Sequence, residues 1–192
     1  FHRRDPREYL DNAIYSPDPL LKARALKAVG ELGGRRDIMM PGRLQSNWNA
    51  KDPAISFSAA WSSALRGDDK AADTLRTFVN ASSPFREEAI DIAMRCMEYG
   101  EALALQKELA KSPDTLRLAV QGAGIIGDPA LVPWLLEQMR VPELARIAGE
   151  AFHMITSVDI EREGMAGECP AGFSAGPNDD PDDPEVAPDP DE

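Results

Sequence analysis

The chain has 192 residues, 21 Lys and Arg against 33 Asp and Glu, and a formal net charge of −12. It is long enough for a continuous core; it has no run of about twenty apolar residues that would span a membrane; and its two cysteines exclude a disulfide framework, which suits a reducing cytoplasm. The charge is uneven: residues 164–192 hold nine acidic residues and no Lys or Arg, leaving 24 acidic against 21 basic over residues 1–163, without the basic stripe of a nucleic-acid reader.

The first residue is Phe1 rather than Met, which predicts a fragment or a processed product; no secretory leader is visible. Short basic clusters, Arg3-Arg4, Arg7 and Arg35-Arg36, are too brief for a nucleic-acid surface. Residues 6–16 read as the second helix of an incomplete unit. A proline then recurs at Pro19, Pro53, Pro84, Pro113 and Pro142, at intervals of 34, 31, 29 and 29 residues. Asp18, Asp52, Ser83 and Ser112 precede the first four. A side-chain oxygen there accepts an orphan backbone N–H, and proline fills the first helical position, where no N–H is needed. The fifth start, Val141-Pro142, has no polar cap. This register predicts first helices near 19–32, 53–66, 84–98, 113–126 and 142–156. Second helices are expected near 36–45, 69–80, 101–110 and 129–139.

Six residues beyond each proline stand Ala25, Ala59, Ala119 and Ala148; the third unit is one residue out of step, with Ala89. Small residues at that point let neighbouring helices approach closely. Fourteen beyond stand Gly33, Gly67 and Gly127, expected to end helices in the left-handed conformation. The first interval carries an insertion, Gly42-Arg43-Leu44-Gln45-Ser46-Asn47-Trp48-Asn49, and insertions in repeat proteins map to loops, often on a functional face. Met39-Met40 just before it reads as gap-filling packing. Trp61 reads as core. In the fourth second helix Val132, Leu135, Leu136 and Met139 take the core positions, which leaves Trp134 and Gln138 for a partner. Residues 164–192, rich in Asp, Pro and Gly, bury too little apolar surface to order themselves and read as an extended or disordered acidic tail. Alternatively Phe173, in the run beginning at Cys169, caps the last repeat.

The stretches Ala-Val-Gly-Glu-Leu-Gly-Gly (28–34) and Gly-Ala-Gly-Ile-Ile-Gly-Asp-Pro (122–129) resemble HEAT repeats of the short, phycobilisome-lyase-like bacterial type, over residues 18–156. The segment 148–159 with the acidic tail also resembles an uncharacterised proteobacterial HEAT-like family associated with type VI secretion gene neighbourhoods. The resemblance implies an all-α fold, an α-solenoid of antiparallel helix pairs over residues 1–163. It carries no catalytic residues with it.

The residues hold little that could do chemistry. His2 and His153 are the only histidines, and Glu150 to His153 is a lone pair that cannot fill a metal's coordination shell, so no metal and no cofactor are expected. His153 reads as a packing or capping group. The glycines at 122, 124 and 127 match a dinucleotide-type pattern, but they lie in a helix rather than after a strand and read as close packing and a helix stop. The expected function is therefore a non-enzymatic scaffold that binds a protein partner through the inner face of its second helices and its loops, with Trp134, Trp48, Arg43 and Gln138 in contact. Two other readings stand beside it: a HEAT-like lyase or DNA glycosylase with a scattered site, and an accessory or immunity protein of a bacterial secretion system.

Overall fold

A computed structural model describes residues 7–32, 41–79 and 83–167, and these are all-helical, with no strand among them. The helices are α1 (Arg7–Ala13), α2 (Pro19–Glu31), α3 (Pro41–Gln45), α4 (Pro53–Leu65), α5 (Ala71–Val79), α6 (Arg86–Cys96), α7 (Tyr99–Leu109), α8 (Pro113–Ile126), α9 (Val132–Gln138) and α10 (Pro142–Thr156). A 3₁₀ turn, Pro129–Leu131, leads into α9. The expected stop at Gly33, the Arg35-Arg36 pair, Met39-Met40 and the tail from residue 168, with Cys169 and Phe173, lie outside the described residues.

Four of the five proline-marked starts open a helix at the proline itself. Asp18 accepts the N–H groups of Leu20 and Leu21 at 2.9 and 3.3 Å, and Asp52 those of Ala54 and Ile55 at 2.8 and 3.3 Å. Each pair satisfies donors that a helix start leaves orphaned. The hydroxyl of Ser112 makes no cap bond, and Val141 begins α10 without a polar cap. The third start departs from expectation. Ser83 accepts the N–H of Phe85 at 3.2 Å, so Pro84 and Phe85 form a turn and α6 begins only at Arg86. The cause lies in the aromatic packing. Phe85 stacks on Phe57 with ring centroids 4.5 Å apart and meets Phe78 edge-on at 6.1 Å, which holds the chain in place ahead of the helix.

The long helices pack in chain order, α2 on α4, α4 on α6, α6 on α8 and α8 on α10. The others sit beside them: α3 on α4, α5 against α4 and α6, α7 on α8, and α9 on α10. All five register alanines, Ala25, Ala59, Ala89, Ala119 and Ala148, are buried, the last four completely. Two helix pairs approach closely enough to exclude a side chain. A Cβ on Gly30 would stand 2.9 Å from the Ser62 Cα, and one on Gly124 would stand 2.9 Å from the Ala151 Cα. Ser62 is fully buried in the first of these contacts. Its hydroxyl donates to the Leu26 carbonyl at 2.6 Å and accepts from the Gly30 N–H at 3.2 Å, so it locks α4 onto α2 without an unpaired group. Gly127 ends α8 at φ 72°, the left-handed conformation expected of it.

The core falls into three adjoining clusters. The central one gathers Phe57, Leu75, Val79, Ile90, Leu105 and Leu118 from α4 to α8. Ile14, Leu26, Val29, Leu44 and Ile55 form the first, and Val120, Ala123, Leu135, Ala148 and Ala151 the last. α4 is buried on nearly every side, including four serines, Ser56, Ser58, Ser62 and Ser63. Trp61 is half-buried against the central cluster, with the Lys27 ammonium 5.2 Å from its ring.

Candidate functional site

A concavity lies across α6, α8 and α10. In a helix, residues four apart share a face. Glu87, Asp91 and Arg95 on α6, Arg117, Gln121 and Ile125 on α8, and Ile147, Ala151 and Met154 with Glu150 on α10 are three such stripes, and they line a groove of about 300 Å³. One wall is charged and partly tied up: Arg95 pairs with Asp91 at 2.9 Å, and the Gln121 side-chain amide donates to the Glu87 carbonyl at 3.5 Å. The other wall is apolar, and Met154 is 52% exposed on it. Ala151, buried against Gly124, keeps the floor low.

A second hollow, of about 530 Å³, opens beside the first between the last turns of α10 and the segment Asp159–Glu161. The two share Glu150 and Met154. Gly149 carries no side chain to fill this hollow, and Ile160 contributes apolar surface. The segment is held by its own turn chemistry. Ser157 takes the left-handed conformation at φ 59°, a His153 ring nitrogen lies 2.9 Å from the Val158 carbonyl, and the Asp159 carboxylate accepts the Arg162 N–H at 3.0 Å. His153 thus ties the last turn of α10 to the segment that follows it. Together the two hollows present five carboxylates, Glu87, Asp91, Glu150, Asp159 and Glu161, against the guanidinium groups of Arg95 and Arg117. On the second-helix side a smaller hollow of about 280 Å³ is lined by Arg76, Glu108 and Thr115. Among the described residues no three His, Cys, Asp or Glu side chains are grouped to hold a metal ion, and no helix is long and apolar enough to cross a membrane.

The four residues expected at a partner surface fall on two separate elements. Trp48 is half-buried between the first and central clusters, and its indole N–H donates to the Ser63 hydroxyl at 3.0 Å. Its carbonyl accepts from the Ser56 hydroxyl, so the insertion is clamped to α4 at two points. Arg43, in the same insertion, is exposed; it pairs with Asp11 of α1 at 3.4 Å and lies 5.7 Å from the Tyr15 ring centroid. Trp134 and Gln138 stand together on α9. Trp134 is half-buried between the central and last clusters, and the Gln138 amide donates to the Trp134 carbonyl at 3.5 Å. Leu136, expected in the core, is 47% exposed, while Leu135 is fully buried. α9 is short and follows a 3₁₀ turn, which rotates its apolar face relative to an α-helix running from Pro129.

Three titratable groups have shifted properties that the sequence does not announce. The Tyr99 hydroxyl at the start of α7 donates to the Asp128 carboxylate ahead of α9. That bond holds the Asp128 carboxyl below its usual range, with help from the Ala130 N–H, and holds the Tyr99 phenol above its own. Cys96, half-buried at the end of α6, is pushed up by burial and by the charge of Asp69. Comparison with known proteins finds no family model, no curated protein and no solved structure that matches this chain.

Proposed function

We propose that the chain is a helical-repeat scaffold, an α-solenoid of antiparallel helix pairs, that binds a protein partner in the cytoplasm and does no chemistry of its own. The observation that carries this reading is the groove on α6, α8 and α10. Three alternate helices give one stripe each to a single concave surface, as a stack of repeated units does when it presents an extended binding face. The buried alanines at the register positions support the stacking, because each allows the next long helix to close in. The groove is the main contact surface in this proposal, and Trp134 with Gln138 on α9 forms a second one. Arg43 and Trp48 serve first to fasten the insertion.

The test is isolation of native complexes through a tagged full-length chain, with a photo-cross-linking residue at Gln121 or, separately, at Gln138. The scaffold reading expects a stoichiometric protein that cross-links at one of the two positions and is lost when Met154 is changed to Asp or Trp134 to Ala. A folded chain that recovers no protein at either position would sink it.

A further inference from the structure

The walls of the groove specify a kind of partner. Resting on the scaffold reading above, we propose that the continuous groove formed by α6, α8, α10 and the segment Asp159–Glu161 takes a basic, amphipathic helical segment of a protein partner.

Three observations converge on that occupant. The first is charge. Five carboxylates line the joined hollows with two guanidinium groups, those of Arg117 and of Arg95, the latter paired with Asp91. The excess is negative, so lysine or arginine is favoured over aspartate or glutamate on the arriving segment. The second is the apolar wall. Ile125, Ile147, Met154 and Ile160 line the same space, and Met154 is more than half exposed where the two hollows meet. A purely polar ligand would leave that surface wet, whereas an amphipathic one covers it. The unbranched thioether adapts to whatever side chain arrives. The third is length. Neighbouring helix axes lie about 8–10 Å apart, so α6 to α10 spans about 20 Å, the rise of about 13 helical residues. A helix of that length lays one apolar stripe along the isoleucines and Met154 and keeps its basic residues toward Glu87, Glu150 and Glu161, the geometry of a helix seated in a groove.

The experiment uses the full chain with labelled methionine and isoleucine methyls, titrated with a synthetic peptide of about 14 residues, leucine at helical spacing and lysine elsewhere. A second peptide has glutamate in place of each lysine. The proposal expects saturable shifts at Met154, Ile125 and Ile147 with the lysine peptide, weakened by added salt, and none with the glutamate peptide. The double variant Glu150→Lys, Glu161→Lys should bind about tenfold more weakly, because two favourable contacts become repulsive. Both positions are exposed, so the fold tolerates the change. The tail variant Asp189→Lys, Asp191→Lys removes as much negative charge and controls for attraction to the tail; it should change affinity less than about threefold. Binding that follows the tail variant, or that leaves the Met154 methyl unmoved, overturns the groove assignment. If the shifts gather instead at Met139 on the α9 side, the groove assignment fails while the scaffold reading survives. If neither peptide binds the groove but the cross-linked native partner does, the occupant is not basic and amphipathic and the inference is wrong.

Discussion

Three glycines in α8 and α10 make a graded test of how closely neighbouring helices pack. In a helix interior, glycine to alanine should stabilise by about 0.5–1 kcal/mol, because glycine loses more backbone freedom on folding. Against that stands whatever the new methyl meets. On Gly149 it meets only the Ile160 Cδ1 at 3.4 Å, an ordinary contact, so Gly149→Ala should gain most of the propensity term. On Gly122 it comes within 2.7 Å of the Met94 Sδ and Cε, the far end of a flexible side chain that can turn away, so gain and cost should nearly cancel. On Gly124 it comes within 2.9 Å of the Ala151 Cα and 3.1 Å of its Cβ. No rotamer relieves a clash with backbone, so α10 must shift as a body, at an overpacking cost of about 1–3 kcal/mol. The expected order of stability is Gly149→Ala, then wild type close to Gly122→Ala, then Gly124→Ala about 1–2 kcal/mol below wild type after the propensity gain is offset. Urea unfolding followed by circular dichroism reads these differences, and each kcal/mol should move the melting temperature by about 2–4 °C in a chain of this size. A Gly124→Ala protein as stable as Gly149→Ala would refute the close approach of α8 and α10.

Three further expectations test other contacts. Trp48→Phe should cost about 1 kcal/mol through loss of the indole donor to Ser63, and Trp48→Ala about 3 kcal/mol through loss of packing between two core clusters; a Trp48→Phe protein as stable as wild type in urea unfolding would show that the indole bond contributes nothing. The Tyr99–Asp128 bond makes the contact between the start of α7 and the cap of the 3₁₀ turn ahead of α9 depend on pH. The lowered Asp128 carboxyl contributes stability above the usual carboxylate range and loses it as pH falls through its folded value, while the raised Tyr99 phenol contributes below the usual phenol range and loses it as pH rises through its own. Asp128→Asn, which keeps an acceptor for Ala130, should return the tyrosinate absorbance of Tyr99, isolated by subtracting Tyr99→Phe, toward the ordinary titration; an unchanged curve would discount the bond. In a Cys169→Ser background, Cys96 should react with a thiolate-specific reagent more slowly than a free thiol at neutral pH, since burial and Asp69 disfavour the thiolate; a fast reaction would contradict its placement.

The helix starts were legible because cap chemistry is local. Asp18-Pro19 and Asp52-Pro53 act through atoms two and three residues away, so no knowledge of the fold is needed to read them. α8 and α10 run over the residues expected of them, and the five register alanines are buried as their spacing predicts. Ser83-Pro84 is the exception because a distant contact overrides the local one. Phe85 belongs to an aromatic group whose other members, Phe57 and Phe78, come from different helices. Leu136 lies outside the core for a different, local reason: a 3₁₀ turn from Pro129 changes the phase of every residue after it. The groove was not legible at all. Glu87, Asp91, Gln121 and Glu150 are ordinary polar positions in a helical pattern, and only the lateral packing of α6, α8 and α10 brings their stripes together. Tryptophans such as Trp48 and Trp134 stand out in a sequence in a way such stripes do not.

The glycine contact and the groove meet at one residue, and this couples packing to binding. Ala151 touches Gly124 on one side and lines the groove on the other. The distance between α8 and α10 therefore sets the width of the groove as well as the density of the core. Gly124→Ala pushes the two helices apart and moves the Ile147 and Met154 wall away from Ile125, whereas Gly122→Ala displaces Met94, which does not line the groove. If the groove binds an amphipathic helix, Gly124→Ala should weaken the lysine peptide by several-fold even at a temperature where the variant is fully folded, since a gap of about 1 Å already forfeits much of the contact energy of its lining. Gly122→Ala should bind as wild type does. Equal affinities for the two, measured on folded protein, would separate the groove from the helix contact that is argued to shape it.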